Sequence, residues 1–205
     1  MNKIYIYVNG ILNMPSNTEA WTDRAVTWTH VRTGMHAEKY EYYSPVLFRR
    51  LRQQNRAEKL ARMIRYYDKW DIVLVGHSNG CDVIMRTLAL LKDKKMKEIH
   101  FIAPACSRQV KHQMRLLVKT EQLEWFQIFL GGKDRVMEWA TISQRLFGPF
   151  GLGYGDLGAE NYKVVGKVVG DDNVIYEPSF DHSTWFEKTT HFENTMHRIV
   201  RVGNA

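Results

Sequence analysis

Asp71-Ile72-Val73-Leu74-Val75-Gly76-His77-Ser78-Asn79-Gly80 is a β-branched, apolar run that ends in a serine framed by two glycines. The residues after it, Cys81-Asp82-Val83-Ile84-Met85-Arg86, take up a helical pattern. A buried strand that turns sharply into a helix, with serine at the tip, is the setting in which a G-x-S-x-G pattern has mechanical meaning. Such a turn holds the serine at a strained backbone angle. Gly76 and Gly80 carry no Cβ to clash beside it. The same turn sets the amide of Asn79 beside any oxygen bonded to Ser78.

Around this stretch lie 205 residues, 44% of them apolar, enough to bury a sizeable core in one domain spanning 1–205. Aromatic residues at 12% and charged residues at 25% argue against disorder. The net charge of +7 favours anionic surfaces, so nucleic-acid binding stays open, but it identifies no partner. Cys81 and Cys106 lie in or beside apolar segments and read as buried thiols. The N-terminal apolar run reaches Asn9-Gly10 too soon for a signal peptide, and no stretch is long enough to span a membrane. The expectation is a soluble, cytoplasmic protein.

In chain order, residues 3–8 read as a strand that stops at Asn9-Gly10. A helix is expected over 19–31, with Trp21, Ala25, Trp28 and Val31 recurring at helical spacing, capped by Ser16 or Thr18 and closed by Gly34. A short strand over 38–43 precedes Ser44-Pro45, a hydroxyl cap with proline at the first helical position. That helix runs to Tyr67, burying Leu47, Leu51, Leu60, Ile64 and Tyr67. Arg49, Arg52, Arg56 and Lys59 form an outward stripe, either a solvated face or an anion-docking surface.

The strand over 71–76 and the helix over 80–92 come next, then a strand over 98–103, a basic helix over 107–119 and a strand over 125–130. A helix over 136–147 turns Val136, Ala140 and Leu146 inward. Residues 148–158 form a glycine-rich loop, an inert connection or a flap. It is no nucleotide cradle, because no strand precedes it. Residues 162–169 and 173–177 read as strands, and 184–200 as the last helix. Strands alternating with helices imply an α/β fold, with a mainly parallel sheet covered on both faces.

A serine hydroxyl is a weak nucleophile until a base takes its proton, and the base needs a carboxylate to set its tautomer. Asp134 stands where a carboxylate would emerge from the strand over 125–130, across Gly131-Gly132-Lys133. It is the candidate acid, or else a helix cap for the residues after it. Glu138, Asp156, Asp171 and Asp172 are weaker, lying within a helix or in turn-like segments. Three histidines follow Asp134, and of them His182 alone lies in a loop, while His191 and His197 fall in the last helix. Asp181 reads as a turn or cap residue. For an oxyanion, the amide of Asn79 is one donor, and that of Ile11, after Asn9-Gly10, is the other.

Taken together, Val8-Asn9-Gly10-Ile11, Gly76-His77-Ser78-Asn79-Gly80, Gly132-Lys133-Asp134-Arg135-Val136 and Asp181-His182-Ser183 resemble the α/β-hydrolase family over nearly the whole chain. The resemblance implies a serine hydrolase with Ser78, His182 and Asp134 as its triad. Two departures stand out. Asn9-Gly10 replaces the His-Gly that many members carry, and the expectation is a form without the family's early antiparallel strands and without a large lid insertion. The implied reaction is cleavage of an acyl bond, a carboxylic ester of a small-molecule or lipid-like substrate first, without metal or organic cofactor. Thioester or amide cleavage would use the same residues. A non-catalytic basic binding module is the alternative from a different class. Trp21, Trp28, Trp139 and Phe150 are candidates for an acyl pocket or for ordinary core.

Overall fold

A computed structural model describes residues 2–10, 20–42, 52–139, 142, 155 and 157–200. The strands are β1 (Lys3–Val8), β2 (His36–Tyr40), β3 (Asp71–His77), β4 (Met96–Ile102), β5 (Leu123–Gly131) and β6 (Val174–Glu177). Interleaved with them run α1 (Trp21–Thr33), α2 (Gln53–Tyr66), α3 (Gly80–Leu90), α4 (Val110–Lys119), α5 (described over 135–139), α6 (Tyr162–Val169), α7 (Thr184–Glu187) and α8 (Thr189–Ile199). The six strands form one sheet in the order β2-β1-β3-β4-β5-β6, and every pairing is parallel.

Alternation along the strands sorts their side chains between two cores. Ile4, Ile6, Val8, Ile72, Leu74, Ile99 and Phe101 pack against Leu60 and Ile64 of α2, Val83 and Ile84 of α3, Met114 of α4 and Val165 of α6. On the other face, Tyr5, Tyr7, Val73, Val75, Ile102 and Phe129 meet Trp28 of α1 and Phe192, Met196 and Ile199 of α8. The chain passes from β1 to β2 on one side and returns to β3 on the other. The carboxyl ends of β1 and β3 therefore flank the switch point of the sheet, where open α/β sheets place their ligands.

Five local expectations are corrected. Residues 162–169 are helix α6, not a strand: Asn161 accepts a hydrogen bond from the Lys163 amide at 2.9 Å, and Val165 and Val169 share a buried face one turn apart. Val31 is 73% exposed although its spacing put it with Trp28, and Val136 is exposed while its neighbour Met137 turns inward. Arg56 leaves the expected outward stripe and is buried, donating to Gln53 Oε1 at 2.7 Å. The last helix is broken at Lys188, whose backbone is extended, into α7 and α8. Gly34 closes α1 in the left-handed conformation, with φ of 66°, as expected. Ser16, Thr18, Ser44-Pro45, Leu47, Arg49, Leu51 and Leu146 lie outside the described residues. Cys81 and Cys106 are buried.

Candidate active site

Ser78 stands between β3 and α3 with a φ of 53°, a conformation a non-glycine residue holds only under constraint. Its amide donates to the Ile102 carbonyl at 3.0 Å, and its carbonyl accepts from Ala105 at 3.1 Å and Cys81 at 3.2 Å. The flanking glycines are needed for packing against neighbouring elements. A Cβ on Gly80 would lie 2.4 Å from the Val8 carbonyl oxygen at the end of β1. One on Gly76 would lie 2.8 Å from Ile84 Cδ1 and 3.0 Å from the Cys81 nitrogen. The serine is half-buried and Asn79 fully buried.

Across the switch point, a Cβ on Gly10 would meet Ser78 Cβ at 3.0 Å, so the loop after β1 lies against the serine. Asn9 anchors that loop. Its Oδ1 accepts from the Gly10 amide at 2.8 Å and from Trp21 Nε1 at 2.9 Å, and its own amide donates to the Tyr40 carbonyl at 3.2 Å. The Gly10 amide is thereby occupied. Ile11 lies outside the described residues.

Gly131 and Gly132 let the loop after β6 close over the end of β5. A Cβ on either would fall within 2.6 Å of the Phe180 or Pro178 carbonyl oxygen. Backbone bonds from Gly132 to Glu177 at 3.0 Å and from Lys133 to Phe180 at 2.9 Å hold the two segments together. This contact brings His182 to Asp134: Nδ1–H donates to Asp134 Oδ2 at 2.9 Å, with the two residues 8% and 3% exposed. Asp134 Oδ1 accepts from the Met137 amide at 3.0 Å and so caps α5. The two readings of this aspartate are thus not exclusive, because each oxygen has its own partner.

His77, which the sequence pattern passes over, links the serine turn to the histidine loop. Its Nε2–H donates to the His182 carbonyl at 3.0 Å, and the two imidazoles lie 4.9 Å apart. Burial, and then the neighbouring His182 ring, pull the His77 pKa down to about 3, so it stays a neutral donor. Trp21 and Phe186 pack edge-on against it at 6.0 and 5.2 Å. Of the three described aromatics among those named for an acyl pocket, Trp21 alone is placed beside the site. Trp28 belongs to the core, Trp139 is 70% exposed, and Phe150 lies outside the described residues. Asp181 Oδ1 accepts from the amides of Ser183 and Thr184, each at 2.9 Å, and so works as the turn residue expected of it. His191 and His197 sit in α8, against Phe180 and Trp28. Among the described residues, no three His, Cys, Asp or Glu side chains gather as a metal site requires.

No family model matches the sequence, and no curated protein does. Solved structures do match. A predicted CIB-like hydrolase from Thermoplasma acidophilum aligns with a TM-score of 0.58 at 18% identity, over 98% of this chain and 87% of its own. Est1E from Butyrivibrio proteoclasticus aligns with a TM-score of 0.58 at 14% identity, over 98% and 86% of the two chains. An extracellular α/β-hydrolase from a Paenibacillus species aligns at 0.54 and 14% identity, over 99% of this chain and all of its own. The chain has the α/β-hydrolase fold, in a form whose described sheet is entirely parallel. No helix among the described residues is long and apolar enough to cross a membrane.

Proposed function

We propose that this chain is a serine hydrolase of acyl bonds, acting first on carboxylic esters of small or lipid-like molecules, and that residues 1–205 form one domain. The observation that carries the reading is the 2.9 Å bond from His182 Nδ1 to Asp134 Oδ2, with His77 of the serine turn bonded to the His182 carbonyl and Ser78 held at a φ of 53°. With Nδ1 carrying the proton, Nε2 of the neutral ring is left as the base. In the proposed reaction Ser78 Oγ attacks the acyl carbon as its proton passes to His182 Nε2. The carbonyl oxygen becomes an oxyanion, received by the amides of Asn79 and Ile11. His182 then returns the proton to the leaving oxygen, and the C–O bond breaks to give an acyl-Ser78 ester. Water, deprotonated by the same nitrogen, releases the acid and regenerates the serine. Asp134 stays ionised and stabilises the imidazolium in both halves.

The hydrolase named among the structural neighbours supports the same class of reaction. The test is labelling by a fluorophosphonate probe, alongside hydrolysis of p-nitrophenyl esters from acetate to laurate and of matching thioesters and anilides. Wild type is expected to label and to prefer the esters, and Ser78→Ala to do neither. Equal labelling of Ser78→Ala, or none of wild type, would end the proposal. A preference for thioesters or anilides would keep the mechanism and change the substrate.

A further inference from the structure

Asn79 is placed at the serine turn by a buried chain of polar side chains that comes from α2, an element with no part in the proposed triad. We infer that Gln53 is the positioning residue for the Asn79 amide, and so for the oxyanion site; the inference rests on the serine-hydrolase reading.

Gln53 is 1% exposed, although it stands at the first turn of a strongly polar helix. Its Nε2 donates to Asn79 Oδ1 at 3.0 Å and to Asp82 Oδ2 at 2.9 Å, while its Oε1 accepts from Arg56 Nη1 at 2.7 Å. Asn79 Nδ2 in turn donates to the Tyr42 hydroxyl at 2.8 Å, and the Arg56 guanidinium lies over the Tyr42 ring, 4.7 Å from its centroid. The polarity of this chain has one consistent sense. A guanidinium only donates, so the Gln53 oxygen must face Arg56 and its nitrogen must face Asn79 and Asp82. A carboxylate only accepts, so Asp82 enforces the same orientation from the other side. Asn79 is then obliged to turn its oxygen to Gln53 and its nitrogen to Tyr42.

The residue after the proposed nucleophile is therefore held at both ends of its side chain. Its backbone amide, one bond removed from the strained Ser78, inherits that fixed orientation. Donors that are preorganised where charge develops need no reorganisation during reaction, and small displacements of them are costly in rate. Gln53 touches neither substrate nor reacting atoms and acts through Asn79.

The experiment compares wild type with Gln53→Met, of similar volume but without the donors, on a p-nitrophenyl ester and on the matching thionoester. Sulfur is a poor hydrogen-bond acceptor, so thionoester turnover depends little on the oxyanion amides. Gln53→Met is expected to lower kcat for the oxygen ester about 10- to 100-fold with KM within about three-fold, and to lower the oxygen-to-sulfur rate ratio by a similar factor. A merely structural role would slow both substrates alike. If Gln53→Met does not fold, Tyr42→Phe, which removes one hydroxyl from the far end of the chain, is expected to lower the same ratio. Folded variants with unchanged kcat and unchanged ratio would overturn the assignment. Wild type that reacts with no fluorophosphonate would instead overturn the hydrolase reading, and the two failures are thus distinct.

Discussion

Replacing Asp134 by asparagine separates two tasks that one carboxylate performs. In the native site Oδ2 accepts from His182 Nδ1 at 2.9 Å while Oδ1 accepts from the Met137 amide at 3.0 Å. Asparagine has one oxygen for these two N–H groups. If the oxygen stays on Met137, the amide nitrogen faces His182, which must then present a bare Nδ1 and carry its proton on Nε2, the atom proposed as base. If the oxygen turns to His182, the cap on α5 is lost and two donors face each other at 3% exposure. The first choice costs the tautomer, worth about 10³- to 10⁴-fold in kcat/KM, or about 4–5.5 kcal/mol. The second costs about 1 kcal/mol of stability, a shift of about 2–4 °C in Tm for a chain of this size. Asp134→Asn is therefore expected to stay folded, with Tm within about 4 °C of wild type, while ester turnover falls at least about 1,000-fold. Asp134→Ala loses both partners and should fall in Tm as well. Steady-state kinetics beside calorimetry reads both quantities. Asp134→Asn turnover within about ten-fold of wild type would refute the role given to the carboxylate.

His77, held neutral with its pKa lowered to about 3, binds its proton more readily in the unfolded chain, so its contribution to stability is complete above about pH 6.5 and is lost as pH falls toward 3. The slope approaches about 1.4 kcal/mol per pH unit in that window, and His77→Gln, which can still donate to the His182 carbonyl, should flatten it in urea titrations at pH 7, 5 and 4. Gly80→Ala would push a Cβ to 2.4 Å from the Val8 carbonyl oxygen and should lower stability by more than about 2 kcal/mol in urea unfolding. Gly34→Asn, at a φ of 66° with nothing within 4 Å, should cost less than about 1 kcal/mol in the same measurement. Lys111 pairs with Glu160, their side chains 7% and 9% exposed, so Lys111→Ala leaves a buried carboxylate and should cost about 3–5 kcal/mol by urea midpoint. Lys111→Met with Glu160→Met removes both charges and should recover most of that loss.

The parallel sheet was legible because β1, β3 and β5 are short β-branched or aromatic runs that end at or beside a glycine, β4 stops at Ala103-Pro104, and the helices between them keep a period near four. The meeting of Asp134 with His182 was legible for a chemical reason, since a base that must follow the last strands leaves few loop histidines to choose from. Residues 162–169 misled because Val164, Val165, Val168 and Val169 satisfy strand propensity and helical spacing at once. The cap from Asn161 and the packing of Val165 and Val169 beside α4 decided for the helix. Asn161 before a four-residue apolar repeat was the signal that could have found it. His77 was visible within the motif, yet nothing in its neighbours shows that its ring reaches a carbonyl 105 residues away. Gln53 and Arg56 were less legible still. Their burial depends on Tyr42, after β2, and on Asn79 and Asp82, at the start of α3, arriving from two separate segments, and a polar helix face carries no mark of which residue turns inward.

The serine and the histidine hang from strands of very different security. β3 lies in the middle of the sheet, paired on both sides, and the side chains of Ile72, Val73, Leu74 and Val75 are wholly buried. Among the described residues, β6 is an edge strand of four residues, partnered by β5 alone and with no fully buried position, and His182 follows it by five residues. Fraying of that margin takes far less free energy than melting the centre. On the proposed mechanism such an excursion would carry the base away and leave the elbow standing, so mild warming or dilute denaturant is expected to abolish ester turnover reversibly while circular dichroism stays native.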